Sequence, residues 1–367
     1  MTETLQSQIV FVVGTRAQLI KVAPVVVACE SAGLPVTLLM TGQHEETMQD
    51  LVEEFGIRSP QVSAVRAIER STVGSLLRWL PLAYAGVSRC IRGFTRSGRS
   101  VSVLVHGDTL STLVGAFSGR RNGARVVHLE SGLTSGKLFD PFPEEILRRV
   151  VFHFTDLAMC PNKASVAHML HHHRAEVVDT VGNTIVDAVA MTGAAAIRPD
   201  VAAPYIVVSL HRFQNIYNKR RLRQLVYLIE EAAKVLPVRF VMHPATRARL
   251  AAESLDQRLR LAPGVELSPR LGYGAFLRLA AGAACVLTDG GSNQEELAAL
   301  GVPTIVMRER TERPDGLGTN ALMESDVPGG IGAFLAGGHY VKLRRPPAAV
   351  AGKGPSQRIV TALVPVG

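Results

Sequence analysis

The sequence predicts an α/β protein built from two doubly wound domains, each a parallel sheet covered by helices, that face each other across a cleft. The chain has 367 residues, which exceeds one ordinary domain. Short apolar runs alternate with helical patterns along its length, as in parallel α/β units. An alanine-rich stretch with two prolines, residues 193–204, separates two series of such runs. We therefore expect a first domain over residues 1–195, a second over 196–345 and a C-terminal segment over 346–367.

The apolar runs are the predicted strands. The first series lies at residues 9–13, 36–40, 101–105, 126–129 and 157–159, and the second at 206–209, 240–242, 265–267, 285–287 and 304–307. Most of these runs end in polar or glycine residues. Because open parallel sheets bind ligands beyond the carboxyl ends of their strands, we expect the functional groups there. The last predicted element is a short closing helix over residues 357–364.

The composition restricts the class of protein. Apolar residues make up 47% of the chain and charged residues 19%, which is typical of a folded protein with a large core. The sequence contains neither an apolar run long enough for a membrane span nor a basic start typical of a signal peptide. The four cysteines stand far apart, without the spacing of a zinc or redox site. These features predict a cytoplasmic protein with reduced cysteines, no metal and no membrane association.

The formal charge of +9 raises the possibility of a nucleic-acid partner. The basic residues are dispersed and no recognition motif accompanies them, so we expect no nucleic acid and favour a small anionic substrate.

Two further segments have alternative interpretations. The histidines at 171–173 could bind a metal, but an exposed loop is favoured; residues 76–96 could lie on a membrane surface, but a core-facing helix is favoured.

The segment TDGGSNQEE, residues 288–296, is the most informative stretch. It follows an apolar run and precedes an amphipathic pattern, so it predicts a strand, a glycine turn and a helix start. In that geometry backbone N–H groups and the helix dipole face an anion. Ser292 and Glu295 have the spacing of a capping box, which any stable helix can use. Glu296 has no such structural explanation, and its carboxylate is suited to the hydroxyls of a nucleotide ribose.

Nine motifs in order resemble the UDP-N-acetylglucosamine 2-epimerase family, in its non-hydrolysing branch. The resemblance runs from Val12 to about Arg313, with an echo at residues 354–359. The motifs are GTRAQLIK (14–21), TGQH (41–44), GDT (107–109), HLESGL (128–133), PEE (143–145), GNT (182–184), HR (211–212), TDGGSNQEE (288–296) and TERP (311–314).

The resemblance implies twin Rossmann-like domains of the GT-B type and a reaction in two stages. UDP leaves C1 of the sugar as a proton is removed from C2, and UDP then adds back to the 2-acetamidoglucal with a proton delivered to the opposite face. Such chemistry requires acid/base groups and a diphosphate clamp, but neither a metal nor a cofactor. The implied partner is the UDP-sugar, and a homodimer is possible.

The family's acids correspond to Asp108, Glu130 and Glu144, with His211 as a further catalytic candidate. Asp108 stands in a βα turn, where it can also serve as a helix N-cap. Glu130 directly follows a strand, which no capping rule explains. Glu144 follows Pro143 in a predicted first helical turn, where the helix dipole stabilises an acid and Arg148 can pair with it. From the residues alone, Glu130 is therefore the strongest candidate.

The resemblance also implies the nucleotide-binding residues. Arg16 and Lys21 lie at the first βα turn, and His211 and Arg313 would supply donors from the second domain to the diphosphate. The turn Gly290, Gly291 and Ser292 would bind phosphate. Glu296 would bind the ribose hydroxyls, and Phe276 would contact the uracil.

Several positions depart from the family pattern. Ala17 and Gln18 replace a common Pro-Glu pair, Gly290-Gly291-Ser292 replaces a Ser-Gly-Gly turn, and Thr134 replaces an arginine. These changes leave open whether the sugar is N-acetylglucosamine or a derivative. The alternatives are a hydrolysing epimerase that releases UDP and N-acetylmannosamine, a glycosyltransferase of the same architecture, and a non-catalytic UDP-sugar sensor.

Overall fold

The computed structural model describes residues 7–43, 48–65, 73–137, 143–311, 313–349 and 352–364. The motif residues His44 and Glu312 lie outside these ranges. Contacts divide the chain into two units, the first comprising Met1–Ala188 and Val350–Gly367 and the second Val189–Ala349, within the described ranges. The division therefore precedes the position expected after residue 195, and the C-terminal segment belongs to the first unit.

The first unit contains a parallel sheet of seven strands in the order β3-β2-β1-β4-β5-β6-β7. The strands are β1 (Gln8–Val13), β2 (Val36–Met40), β3 (Gln61–Ser63), β4 (Val101–His106), β5 (Arg125–Leu129), β6 (Leu157–Cys160) and β7 (Glu176–Asp179). The helices are α1 (Arg16–Ser31), α2 (Gln49–Glu54), α3 (Val73–Arg96), α4 (Leu110–Arg121), α5 (Glu144–Phe154), α6 (Lys163–His172) and α7 (Ile185–Met191), which crosses into the second unit.

The second unit contains a parallel sheet of six strands in the order β10-β9-β8-β11-β12-β13. The strands are β8 (Ile206–Ser209), β9 (Val238–Met242), β10 (Val265–Pro269), β11 (Cys285–Thr288), β12 (Thr304–Val306) and β13 (Ala321–Met323). The helices are α8 (Phe213–Ile216), α9 (Lys219–Ala233), α10 (Pro244–Ala252), α11 (Leu255–Leu261), α12 (Tyr273–Gly282), α13 (Gly291–Leu300) and α14 (Gly330–Ala336), and short 3₁₀ turns lie at Ala194–Ala196, Glu324–Asp326 and His339–Leu343. Helix α15 (Pro355–Leu363) belongs to the first unit, where it packs on α1.

The central strands form because β-branched residues fill both faces of a buried sheet. Every residue of β1 is buried, and Val10 pairs with Thr37 of β2 on one side and Val103 of β4 on the other. The sequence did not predict β3, β7 and β13. These strands are short and lie at the sheet edges, where exposed or half-buried positions do not produce an apolar run.

Helix α3 faces the core, as the favoured interpretation predicted. Trp79, Ala83, Val87 and Ile91 are buried at helical spacing within the core of the first unit. The indole N–H of Trp79 donates to the carbonyl of Thr41 at 3.0 Å. At Gly86 an added Cβ would lie 2.2 Å from the carbonyl oxygen of Ala64, so only glycine allows this approach. Across the described ranges, every helix falls short of the length and apolar content needed to cross a bilayer.

The expected loop at the three consecutive histidines is wrong. His171 and His172 form the last turn of α6, where basic side chains complement the helix dipole, and His173 is its C-cap. Within the part of the chain that the structure describes, no group of three or more His, Cys, Asp or Glu side chains is arranged to hold a metal ion.

Candidate active site

Both sheets have a topological switch point, where two neighbouring strands continue to helices on opposite sides. It lies between β1 and β4 in the first unit and between β8 and β11 in the second. Because the strands are parallel, all their carboxyl ends lie at one edge of each sheet, and ligands bind at such edges. Most of the residues predicted to be functional follow these carboxyl ends.

Glu130 directly follows β5 and has an unusual backbone conformation. Its φ of +60° lies in the left-handed region, which non-glycine residues seldom adopt. The Oε1 atom accepts from Lys21 Nζ at 2.9 Å and from Asn183 Nδ2 at 2.7 Å. The side chains of Glu130 and Lys21 are only 8% and 5% exposed, so this is a buried ion pair. A strained backbone that presents a buried charge is typical of a functional site.

Two histidines lie beside Glu130. Nε2 of His106, the last residue of β4, is 3.5 Å from Glu130 Oε2. His128 on β5 is fully buried, and its Nε2–H donates to the carbonyl of Gly107 at 2.8 Å while Nδ1 accepts from the Ser131 hydroxyl at 3.1 Å. Burial lowers the pKa of His128 to about 4, against the opposing effects of the Gly107 hydrogen bond and Glu130. His128 is therefore a neutral imidazole that fixes the turn at Gly107.

A small pocket opens at this edge of the first sheet. Its lining residues come from the ends of β4, β5, β6 and β7 and from α15: His106, Leu129, Glu130, Met159, Pro161, Thr180, Gly182, Asn183, Thr184 and Ile359. The carboxylate of Glu130 is thus at the wall of a concave site in the first unit.

Gln18 connects the two strands of this switch point. Its Oε1 accepts from the Gly14 N–H at 2.9 Å, and its Nε2 donates to the carbonyl of His106 at 2.8 Å. The same amide lies 2.9 Å from the hydroxyls of Thr109 and Thr112, which cap α4. The side chain that departs from the family pattern therefore holds the turns after β1 and β4 together.

Asp108 does not cap a helix, because the N-cap of α4 is Thr109. Asp108 instead forms an ion pair with Arg148 of α5. The predicted pairing of Arg148 with Glu144 is wrong, because the second partner of Arg148 is Glu145, at 2.6 Å. Glu144 is the first residue of α5, as predicted, and its buried Oε2 has no hydrogen-bond partner among the described residues.

Glu145 organises the start of α5. Burial opposes its ionisation, but hydrogen bonds from Thr134 and Arg149 and the nearby charge of Arg148 prevail and lower the pKa of Glu145. Thr134, which replaces an arginine of the family pattern, donates to Glu145 Oε1 at 2.6 Å. The acid that anchors the start of α5 is therefore Glu145.

Arg16 lies at the start of α1 and forms a two-point pair with Asp50, each N–O distance being 2.5 Å. The hydrogen bond and charge of Arg16, against partial burial, lower the pKa of Asp50. The predicted phosphate-binding groups of the first unit, Arg16 and Lys21, thus both have carboxylate partners in this structure.

Asp289 is the central residue of the second switch point. This fully buried carboxylate accepts from the backbone N–H of His211 at 2.9 Å, from that of Arg212 at 3.0 Å and from Asn215 Nδ2 at 2.8 Å. It therefore holds the turn after β8 against the turn after β11. These hydrogen bonds also fix the backbone of His211 at this edge of the sheet.

The His211 ring is 40% exposed and lies 3.5 Å from Asp289 through Nδ1. Desolvation lowers the pKa of His211; Asp289 opposes the shift, and the positive charges of Arg308, Arg212 and Arg270 reinforce it. Arg308 is almost fully buried and its Nε donates to the Asp289 carbonyl. These positively charged groups at one sheet edge are suited to a polyanion.

Helix α13 begins at Gly291 with Gly290 as its N-cap, and no side chain caps it. The predicted capping box is therefore wrong: Ser292 lies inside the first turn, and Glu295 pairs with Arg313. An added Cβ at Gly290 would lie 3.0 Å from the His211 ring and 3.1 Å from the Asn293 side chain, so a larger residue would require these side chains to shift. The start of this helix thus presents backbone N–H groups beside His211, in the geometry that binds anions.

The remaining predicted residues occupy the same unit. Glu296 is buried on α13, and Phe276 is partly buried in the first turn of α12, after β10. Gln294 Nε2 donates to the carbonyl of Arg313 at 2.9 Å, which fixes the loop that carries this arginine. His243 caps the start of α10 by accepting from the Ala245 N–H at 3.3 Å.

Sequence reasoning did not identify some site residues. Asn183 was recognised only as part of a motif, His106 and Arg308 only as polar groups at strand ends, and Arg270 not at all. Their position at the ends of β4, β7, β10 and β12 was the available signal. Their contacts depend on pairings far apart in the sequence, which a single sequence does not reveal.

Comparison with known proteins identifies the family that this sequence resembles. The family model for UDP-N-acetylglucosamine 2-epimerase matches residues 28–327. The UDP-N-acetylglucosamine 2-epimerase of Methanocaldococcus jannaschii is 30% identical over 85% of this chain and 87% of that protein. The enzyme of the same name from Bacillus subtilis is 27% identical, over 86% of this chain and 82% of its own.

A solved structure of the Methanocaldococcus jannaschii UDP-GlcNAc 2-epimerase, in complex with UDP-GlcNAc and UDP, superimposes with a TM-score of 0.72 at 26% identity. The match covers 97% of this chain and 99% of that one, which confirms the predicted pair of Rossmann-like domains of the GT-B type. With a family model that matches most of the chain, and a relative similar over nearly its full length, the chain belongs to the UDP-N-acetylglucosamine 2-epimerase family.

Proposed function

We propose that this protein interconverts UDP-N-acetylglucosamine, or a derivative of it, and UDP-N-acetylmannosamine without net hydrolysis. The observation that carries the proposal is the environment of Glu130. Its carboxylate is buried, lines a pocket and pairs with Lys21, and its backbone adopts the left-handed conformation. A structural role would not require an acid in a strained position. Proton transfer at C2, the carbon next to the anomeric centre, does require a positioned acid/base group, and a carboxylate can serve as that group.

In the proposed elimination, the C2–H bond breaks and its proton passes to a carboxylate, with Glu130 as the assigned group. The electron pair forms the C1–C2 double bond as the C1–O bond breaks and UDP departs. In the reverse addition, UDP re-forms the C1–O bond and an acid delivers a proton to the opposite face of C2. Asp108 and Glu144 are the candidates for this second group, because Glu145 already anchors α5.

The leaving group is a diphosphate, so its stabilisation governs the elimination. We assign the UDP to the second unit, where the start of α13 lacks a side-chain cap and lies beside His211. Gly290, Gly291 and Ser292 would donate backbone N–H groups, and His211 and Arg313 would contribute side-chain donors. Glu296 would bind the ribose and Phe276 the uracil, while Arg16 and Lys21 would contribute from the first unit.

We place this activity in the cytoplasm. The four cysteines are free, and burial, reinforced by the charge of Glu30, raises the pKa of Cys29 to about 12. Thiols held protonated in this way are structural rather than reactive. Their presence without disulfides suits a reducing compartment.

The test is proton NMR of the purified protein with UDP-N-acetylglucosamine in heavy water. We expect UDP-N-acetylmannosamine with deuterium at C2. Accumulation of free N-acetylmannosamine and UDP would instead identify a hydrolysing enzyme, and no exchange at C2 would refute the epimerase assignment in favour of a transferase or a sensor.

The matched variants are Glu130→Gln and Glu176→Gln. Glu130→Gln should lower turnover by about 10²–10⁴-fold and leave UDP affinity nearly unchanged, because the amide keeps the shape but not the basicity. Glu176 is an exposed carboxylate on β7 paired with Arg125, so its replacement should leave turnover as in the parent. Equal turnover in both variants would remove Glu130 from the mechanism.

A further inference from the structure

Asn183 contacts Glu130 from a loop with two unusual residues. Val181 and Gly182 have φ of +55° and +140°, so the chain reverses sharply after β7. A β-branched residue in the left-handed region is a genuine outlier. The reversal brings Asn183 Nδ2 to 2.7 Å from Glu130 Oε1, although 53 residues separate them in the sequence.

The orientation of the Asn183 amide follows from its second hydrogen bond. Its Oδ1 accepts from the backbone N–H of Ile185 at 3.1 Å, at the start of α7. The oxygen is thereby assigned to the helix start and the nitrogen to Glu130. Helix capping alone does not explain an asparagine here, because an aspartate would accept the Ile185 N–H equally well. Only the carboxylate of Glu130 requires the amide nitrogen.

We propose that Asn183 is a positioning residue that, together with Lys21, fixes Oε1 of Glu130 and thereby orients this carboxylate for proton exchange with the sugar. The inference rests on the proposed epimerase function. Oε1 accepts from both an ammonium and an amide, whereas Oε2 faces the β4 turn, where His106 Nε2 lies 3.5 Å away. An added Cβ at Gly107 would lie 3.7 Å from Oε2, so no side chain of that residue intervenes.

The neutrality of the amide is essential to this arrangement. Lys21 already balances the charge of Glu130, so a second cationic donor would hold the carboxylate too strongly in its ionised form. An amide donates a hydrogen bond and leaves the net charge of the cluster unchanged. Asn183 therefore orients Glu130 without making it a poor base.

The test is Asn183→Asp, which retains the oxygen that caps α7 but places a carboxylate against Glu130. Because a neighbouring negative charge disfavours ionisation, the acid limb of the kcat/KM profile should move to higher pH by about one unit or more. At neutral pH kcat should fall by about tenfold or more, with little change in KM. The matched control is Asn162→Asp at the N-cap of α6, where Oδ1 accepts from Ser165 N–H at 2.9 Å; its profile should coincide with that of the parent.

A second readout is independent of turnover. Carboxyl ¹³C NMR of glutamate-labelled protein, with the Glu130 signal assigned from Glu130→Gln, should show the titration midpoint of Glu130 at higher pH in Asn183→Asp than in the parent. A folded Asn183→Asp variant with an unchanged pH profile and midpoint would overturn the proposal. If that variant does not fold, Asn183→Ala serves instead, and an unchanged kcat in that variant would likewise overturn it. A parent protein without epimerase activity would refute the proposed function, while the NMR titration would still decide the contact.

Discussion

The ion pair between Lys21 and Glu130 gives a direct test of how this site is balanced. Lys21→Met keeps the aliphatic stem and removes the charge, which leaves a carboxylate that is 8% exposed without its cation. At the observed N–O distance of 2.9 Å, and with an effective dielectric constant of about 20, the gross attraction is about 6 kcal/mol. Desolvation offsets part of this value, and removal of one partner of a buried pair typically costs about 3–5 kcal/mol.

The assay is urea unfolding followed by circular dichroism. Lys21→Met should lower the free energy of unfolding by about 3–5 kcal/mol at pH 8. The decrease should be smaller at pH 5, because protonation of Glu130 removes the uncompensated charge. In the Glu130→Gln background the same substitution should cost far less. The control is Arg125→Met, which breaks an exposed pair with Glu176 and should cost no more than about 1 kcal/mol.

The reasoning would be refuted by a loss at Lys21 as small as that at Arg125. It would also be refuted by an equal loss with and without the Glu130 carboxylate, since the effect would then come from the packing of the stem. A double-mutant cycle separates the two explanations, because it isolates the term that needs both charges.

Three further predictions concern the support of the site. Gln18→Ala should destabilise the protein by about 2–4 kcal/mol in urea unfolding, since it leaves the buried Gly14 N–H and His106 carbonyl without this partner. The control Gln49→Ala, on an exposed face, should destabilise it by less than about 0.5 kcal/mol. Equal losses of stability in both variants would contradict the bridging role of Gln18. The free energy of unfolding should fall by about 3 kcal/mol between pH 7 and pH 4 because of His128. In the unfolded chain this residue takes up a proton below its ordinary pKa of 6.5, whereas in the folded protein its pKa is about 4. A His128→Gln variant with the same pH dependence would assign the loss to other groups. His211→Ala should weaken UDP binding by roughly 2–3 kcal/mol in calorimetry, while His171→Ala should leave it unchanged, and equal affinities in both variants would place the diphosphate elsewhere.

The sequence predicted the elements whose signal is local. Central strands such as β1 are continuous apolar runs because both faces are buried, so their positions follow from composition. Edge strands such as β3 are exposed and lack that pattern. The glycine turn before α13 was predicted as a turn and helix start, but the predicted capping box was wrong because the helix begins at Gly291, so Ser292 lies inside its first turn and Glu295 pairs with the distant Arg313.

The same distinction applies to the site. The ends of the predicted strands indicated the turns that carry Glu130, Asp108 and His211, because ligands bind at the carboxyl edge of a parallel sheet, and the resemblance to the family indicated these residues within the turns. The partners of these residues were not predictable in this way. The pairing of Arg148 with Asp108 depends on how α5 packs beside the β4 turn, and the hydrogen bond from Asn183 to Glu130 joins the turns after β5 and β7, which lie on either side of β6.

The left-handed backbone of Glu130 has a consequence for any effort to make this protein more robust. A residue with φ of +60° costs of order 1–3 kcal/mol, and glycine is the replacement that relieves this cost most readily. That gain is smaller than the loss of the carboxylate, because Glu130→Gly leaves the buried Lys21 ammonium without this partner, at a cost of about 3–5 kcal/mol. Selection for thermal tolerance alone should therefore reach glycine at position 130 only together with a neutral residue at position 21. The joint identity of positions 21 and 130 in a library of stabilised variants would thus reveal whether the screen had also rewarded turnover.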